Sequence, residues 1–101
     1  MAAEAYHKDG NDGVARGYLN EVRRRSGLAD LNLAGPALFN AIVIERQLEL
    51  AFEGFRFQDL VRWNMAVQEL GPLGFKPNKH ELLPIPIYDI RTGGLTQNQG
   101  Y

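Results

Sequence analysis

The sequence predicts an all-α fold in which one helix is followed by an αα-hairpin and then by an extended, proline-rich C-terminal tail. Apolar residues recur at steps of three and four through most of residues 12–70, which is the spacing of one helix face. Glycines or Gly-Pro pairs separate the periodic stretches. Four of the five prolines lie after residue 71, where the helical periodicity ends. These observations place three helices before an irregular tail.

The first predicted helix runs from Asp12 to Ser26. Asp12 can cap its N-terminus, and Gly27 is suited to the left-handed conformation that often follows a helix. Three arginines lie just before Ser26, in the last turn, where positive charge complements the helix dipole. An anion site is the alternative interpretation of this arginine cluster.

The second predicted helix runs from Pro36 to Glu53 and the third from Phe55 to Leu70. Proline suits the first turn of a helix, and Gly54 interrupts the periodic pattern, so the two helices should form an αα-hairpin. The second helix carries an apolar stripe that we expect to be packed, made of Ala41, Ile44, Leu48, Ala51, Phe52 and Phe55.

Residues 73–101 form the predicted tail, which we expect to be extended or turn-like and to lie across the helices. Pro84 and Pro86 alternate with aliphatic residues there, and proline disfavours helix both at its own position and at the position before it. At the other end, residues 1–12 are expected to be a flexible start. Residues 13–101 would then form one domain.

The composition excludes several classes of function. Eleven basic residues against twelve acidic ones give a net charge of -1, so no nucleic-acid footprint is indicated. The chain has no cysteine, which excludes disulfides and thiolate metal sites within it. His7 and His80 are far apart in the sequence and lack neighbours at metal-ligand spacing, so we expect neither a metal nor a cofactor.

The run from Glu45 to Trp63 interleaves charged residues with large apolar ones. Carboxylates at 45, 49 and 53 share one helix face, and the hairpin would bring Arg56 and Arg62 back toward Glu45 and Glu49. We therefore predict an ion-pair lattice of bidentate arginine-carboxylate contacts, whose disruption by removing Arg56 or Glu49 should destabilise the fold. Its predicted members are Glu45, Arg46, Glu49, Glu53, Arg56, Asp59 and Arg62.

Glu45 and Glu49 could instead be the paired carboxylates of a glycoside hydrolase, since four-residue helical spacing allows the required separation. Arginine neighbours favour the ionised carboxylate, however, which is the wrong state for a general acid. No catalytic residue is predicted. For contact with a sugar or a partner surface, the candidate aromatic residues are Trp63, Tyr88 and Tyr101, with ordinary packing as the alternative role.

The charged run resembles the C-terminal signature of SusD/RagB-type outer-membrane lipoproteins. The resemblance rests on the pattern Glu45-Arg46-x-x-Glu49-Leu50-Ala51-Phe52-Glu53-Gly54-x-Arg56-Phe57-x-Asp59-Leu60-x-Arg62-Trp63. Residues 18–28 resemble the helix that precedes this signature, and residues 82–86 with 95–101 resemble the closing segment of these proteins. Phe55 departs from the pattern, which often has histidine there.

This resemblance implies a tetratricopeptide-like, mostly helical protein at the surface of the bacterial outer membrane, tethered through a lipidated cysteine. Such proteins bind glycans or other nutrients without catalysis, and they act with a TonB-dependent transporter. We therefore expect this chain to be the C-terminal part of such a fold. The resemblance assigns no ligand residues to this chain. The competing hypothesis is a small helical interaction module that self-associates through exposed apolar surface and binds no glycan.

Overall fold

The computed structural model describes residues 1–101, and all its regular structure is helical, which confirms the predicted all-α class. None of the helices combines the length and apolarity needed to cross a membrane. Contacts divide the chain into two compact units, Met1–Gly54 and Phe55–Tyr101. The elements are α1 (Ala2–Lys8), α2 (Asp12–Arg25), α3 (Gly35–Glu49), α4 (Arg56–Arg62), α5 (Ala66–Leu70), a 3₁₀ turn (Gly71–Leu73) and α6 (Ile87–Gly93).

The first helix was not predicted. The sequence suggests a flexible start for residues 1–12, whereas the structure has α1 there, packed against α2 and α3. Three of the first five residues are alanine, which has the highest helix propensity. The ring of Tyr6 stacks on that of Tyr18 in α2 with 5.5 Å between the centroids.

The ends of α2 follow the expected chemistry, with one shift at the start. The side chain of Asn11, rather than the predicted Asp12, accepts the capping hydrogen bond from the Val14 N–H at 3.3 Å. At the other end Gly27 has a φ of 73°, and the Leu28 N–H donates to the Arg23 carbonyl at 2.9 Å. The predicted left-handed glycine ending is therefore confirmed, as part of a Schellman motif.

Residues 28–34 run back along α2, and we call this segment the return loop. Three side chains of α2 each donate a hydrogen bond to a backbone carbonyl of the loop: Arg16 to Leu33 at 3.2 Å, Asn20 to Leu31 at 3.0 Å and Arg23 to Ala29 at 3.0 Å. Asn20 also accepts from the Leu31 N–H at 2.9 Å. The loop is thus held along its length by polar contacts, and its end leads directly into α3.

The core of the first unit lies between α2 and α3 and is formed by Ala15, Leu19, Leu38 and Ile42. Of the apolar stripe predicted for the second helix, Ala41 packs against this core, whereas most of the other members are exposed. Ile44 is 56% exposed and Leu48 66% exposed. Helix α3 also ends at Glu49, four residues before the predicted end, and Phe52 beyond it is fully exposed with a φ of 67°.

In the second unit, two short helices replace the single helix predicted from Phe55 to Leu70. The break is at Asn64, which follows α4 with a φ of 58°. The Met65 N–H then donates to the Leu60 carbonyl at 2.8 Å and closes the helix end. Asparagine tolerates the left-handed region better than most residues, so Asn64 acts here as Gly27 does after α2.

The tail contains one helix that the proline pattern did not predict. Pro86 precedes α6 and Gly94, with a φ of 62°, follows it, so the helix occupies the stretch between the last proline and Gly94. Residues after α6 fold back onto the residues before it. The Gln97 amide bonds both the N–H and the carbonyl of Ile85, at 2.8 and 2.9 Å. The rest of the tail is irregular, as predicted.

Candidate functional site

The carboxylates of α3 are held by arginines of α2. Arg23 Nη1 lies 3.0 Å from Glu45 Oε2, and the side chains are only 18% and 11% exposed. Arg25 pairs with Glu49 one turn further along, where the exposed fractions rise to 64% and 41%. Because Arg23 also donates to the return loop, the Glu45 pair joins two helices and the loop between them.

The second unit has its own ion pairs. Arg62 Nε donates to Asp59 Oδ1 at 2.8 Å, and the Asp59 side chain is 7% exposed. Arg56 lies 3.7 Å from Glu69, a longer contact, and its Nη1 atom is buried without a hydrogen-bond partner. A buried donor without an acceptor is costly, so Arg56 is the least well satisfied cation of the charged run.

Five of the seven predicted lattice members take part in the ion pairs described, and the two glutamates of α3 have partners that differ from those the hairpin suggested. Glu45 and Glu49 pair with α2, whose arginines were interpreted as helix-end charges. The expected pairing of these glutamates with Arg56 and Arg62 joins different units and stays a prediction. Arg46 Nη1 lies 3.2 Å from the sulfur of Met1. Glu53 is exposed in the turn after α3 and takes no part in the pairs described.

A second polar cluster lies where α1, α2 and α3 begin or end. Asp12 Oδ1 is 2.7 Å from His7 Nδ1, and its Oδ2 accepts from the Gly35 N–H at 2.6 Å. The Gly35 hydrogen bond, followed by the one from His7, lowers the pKa of Asp12 below its ordinary value of 3.8, with the Arg16 charge acting in the same direction. Neither this cluster nor any other group of three or more His, Cys, Asp or Glu residues has the arrangement of a metal site.

The three candidate aromatic residues lie in the second unit and differ in their surroundings. The guanidinium carbon of Arg62 lies 4.4 Å from the ring centroid of Trp63, which is half-buried. Tyr88 in α6 is 72% exposed. The Tyr101 hydroxyl donates to the Leu82 carbonyl at 3.0 Å, and Lys79 Nζ lies 4.6 Å from its ring centroid. Tyr101 is thus the candidate whose ring and hydroxyl are both fixed.

Each unit also contains a pocket. The pocket of the first unit has a volume of about 370 Å³ and lies between α1, α2 and α3, with Glu45 in its wall. The pocket of the second unit has a volume of about 420 Å³ and is more open. Its wall includes Phe57, Leu70, Phe75, His80 and Tyr101, so it combines aromatic rings with a histidine. Sequence reasoning did not place Phe75 or His80 in a pocket, since it considered His80 only as a metal ligand and Phe75 lies outside the signature.

A model of the SusD family matches residues 1–82. The chain belongs to the SusD family. Two curated relatives come from Formosa agariphila: SusD-like protein P2 is 33% identical over 119 aligned residues, and SusD-like protein P38 is 35% identical over 83. The alignments cover 100% and 72% of this chain but 24% and 16% of the relatives. This SusD-family chain therefore spans about a quarter or less of the length of these two proteins.

Comparison with a solved structure indicates the same family from the fold. A laminarin-binding SusD-like protein superposes with a TM-score of 0.78 and 42% sequence identity over 86% of this chain. The aligned part is 18% of that protein. The chain therefore has an all-α fold of the SusD family, and the resemblance inferred from the charged run is confirmed.

Proposed function

We propose that this chain is the C-terminal part of a non-catalytic, glycan-binding SusD-family protein. The observation that carries the proposal is the 42% identity to a laminarin-binding SusD-like protein across 86% of this chain. The proposed ligand class is accordingly a glucan of the laminarin type. The proposed location is the surface of the outer membrane, with a TonB-dependent transporter as the partner of the whole protein.

The ion pairs of α3 support a binding role over hydrolysis. Glycoside hydrolysis by two carboxylic groups requires both of them to flank the scissile bond. Arg23 and Arg25 instead each engage one of the two candidate glutamates in an ion pair between α2 and α3. Absence of glucose release from laminarin by the purified chain would agree with this proposal, and turnover that disappears in a Glu45→Gln variant would overturn it.

Calorimetric titration tests the ligand class. We expect heat of binding when laminarin is added to the chain at millimolar glucose equivalents, and a smaller response or none with amylose as the control glucan. Tryptophan emission provides a second readout, since Trp63 is the only tryptophan. A titration that shows no response to laminarin by either method would contradict the proposal for this chain.

Self-association is a second candidate property, and the exposed stripe on α3 favours it. Ile44 and Leu48 are more than half exposed, and Phe52 is fully exposed. Large apolar side chains exposed in this way often form an interface. We expect light scattering to show a concentration-dependent dimer that an Ile44→Glu, Leu48→Glu variant abolishes, with the helical circular dichroism unchanged. A strict monomer at all concentrations would exclude this property.

A further inference from the structure

The pocket of the second unit has the features of a small-ligand site that the family signature does not describe. Its volume of about 420 Å³ falls at the low end of the range of roughly 300–1,000 Å³ typical of ligand pockets. That size suits one or two sugar rings better than a long oligosaccharide. Phe57 remains 42% exposed and Tyr101 45% exposed, so aromatic surface is accessible to a ligand.

The aromatic rings of this pocket are inclined to one another. Phe57 and Phe75 have centroids 6.2 Å apart and planes at 57°. Phe75 and the His80 ring are 5.7 Å apart at 79°. In inclined pairs the edge of one ring contacts one face of the other, and a remaining aromatic face is a surface on which the C–H face of a pyranose can stack.

His80 adds a polar group of defined chemistry. Its Nδ1 accepts a hydrogen bond from the Lys76 N–H at 3.1 Å, so the neutral ring carries its hydrogen on Nε2. That nitrogen is then a donor for a sugar hydroxyl. Aromatic walls with a few placed polar groups are the usual composition of small-molecule sites.

Four hydrogen bonds from three side chains fix the edge of the pocket where the tail folds back. Tyr101 Oη donates to the Leu82 carbonyl at 3.0 Å, and Asn98 Nδ2 donates to the Leu83 carbonyl at 2.6 Å. The Gln97 amide holds Ile85 on the same stretch. Because Leu83 and Tyr101 both line the pocket, these contacts hold its wall in place before any ligand arrives. Preorganisation of this kind favours binding, since less conformational entropy is lost.

We infer that this pocket is a glycan subsite that takes a terminal glucose or a disaccharide unit, with the ring of Tyr101 as the stacking surface and His80 Nε2 as a hydrogen-bond donor. The inference rests on the proposed glucan-binding function and names residues for it. Tyr88 is exposed outside this pocket and serves as the matched control.

The test uses the full 101-residue chain and laminarin oligosaccharides of two and three units, with binding measured by calorimetry. We expect Tyr101→Ala to weaken binding roughly tenfold or more, because stacking area is removed. Tyr101→Phe keeps the ring and should bind within about twofold of the wild type, since only the Leu82 hydrogen bond is lost. Tyr88→Ala should bind as the wild type does, and His80→Ala should bind more weakly.

The outcomes of this test separate failure of the subsite from failure of the glucan-binding function. Wild-type binding that Tyr101→Ala and His80→Ala leave unchanged would overturn the subsite and leave the glucan-binding function standing. Binding that is lost in Tyr88→Ala instead would overturn it in the same way. No binding by the wild type would reject both. If Tyr101→Ala alters the circular dichroism, the affinities of Tyr101→Phe and His80→Ala are compared instead. Weaker binding by His80→Ala alone supports the subsite, and equal affinity of the two variants opposes it.

Discussion

Replacing Glu45 by alanine should destabilise the chain far more than the same replacement at Glu49, four residues away on the same helix. The Glu45 side chain is 11% exposed and its partner Arg23 is 18% exposed, with 3.0 Å between the charged atoms. Removing one partner of a buried ion pair costs about 3–5 kcal/mol, because the other charge is left unpaired. Since neither group is fully buried, we expect about 3 kcal/mol for Glu45→Ala.

Glu49→Ala is the matched control, because it removes the same side chain from the same helix. The sequence pattern predicts destabilisation on removing Glu49 as well, but its pair with Arg25 is exposed, and surface ion pairs contribute about 0–1 kcal/mol, so the expected effect is small. Urea unfolding followed by circular dichroism at 222 nm measures both variants. For a chain of this size, about 3 kcal/mol corresponds to a fall in Tm of roughly 10–25 °C. Equal effects at the two positions, or a loss below about 0.5 kcal/mol for Glu45→Ala, would refute the reasoning from burial.

Three further predictions concern backbone and charge. Gly27→Ala should destabilise by about 1 kcal/mol because of the positive φ, whereas Gly17→Ala within α2 should stabilise by up to about 1 kcal/mol; equal melting temperatures would contradict this. Phe52→Gly should raise the free energy of unfolding by about 1 kcal/mol, because Phe52 has a left-handed backbone conformation and its exposed ring has little packing to lose. A less stable variant would show that Phe52 contributes packing. Because the pKa of Asp12 is lowered in the folded chain, this carboxylate contributes stability at pH values above its unfolded pKa of 3.8, and that stability is lost as the pH falls through the folded pKa. Asp12→Asn should therefore flatten the decline of Tm below about pH 5. An unchanged decline would contradict the assignment.

The sequence predicted the helix ends that depend on local chemistry. Gly27 is the clearest example, because its left-handed conformation follows from residue type alone. The break at Asn64 was missed, since asparagine is compatible with a helix interior as well as with its end, and only the closing hydrogen bond to Leu60 distinguishes the two. Helix α6 was missed because the proline pattern of residues 84–86 was extended over residues that contain no proline.

Contacts between distant residues were harder to predict. The spacing of Glu45 and Glu49 shows that they share a helix face, and arginines on either side in the sequence are equally plausible partners. The structure shows that Arg23 and Arg25 fill this role. The periodicity of Ile44 and Leu48 likewise indicates an apolar face without indicating what covers it. The presence of Tyr101 and His80 in the wall of one pocket depends on the tail folding back, which no local pattern specifies.

The return loop restricts which changes in length the chain can accept. Its bonded carbonyls are two residues apart, at 29, 31 and 33, while the donors on α2 are three and four residues apart. Two residues of extended chain span about 6.6 Å, and four or three residues of a helix span about 6 or 4.5 Å, so the two spacings are similar. Inserting or deleting a single residue within 29–33 would turn the following carbonyls away from their donors. A tag or a protease site is therefore better placed elsewhere, and homologous sequences should vary in residue type along this loop while keeping its length.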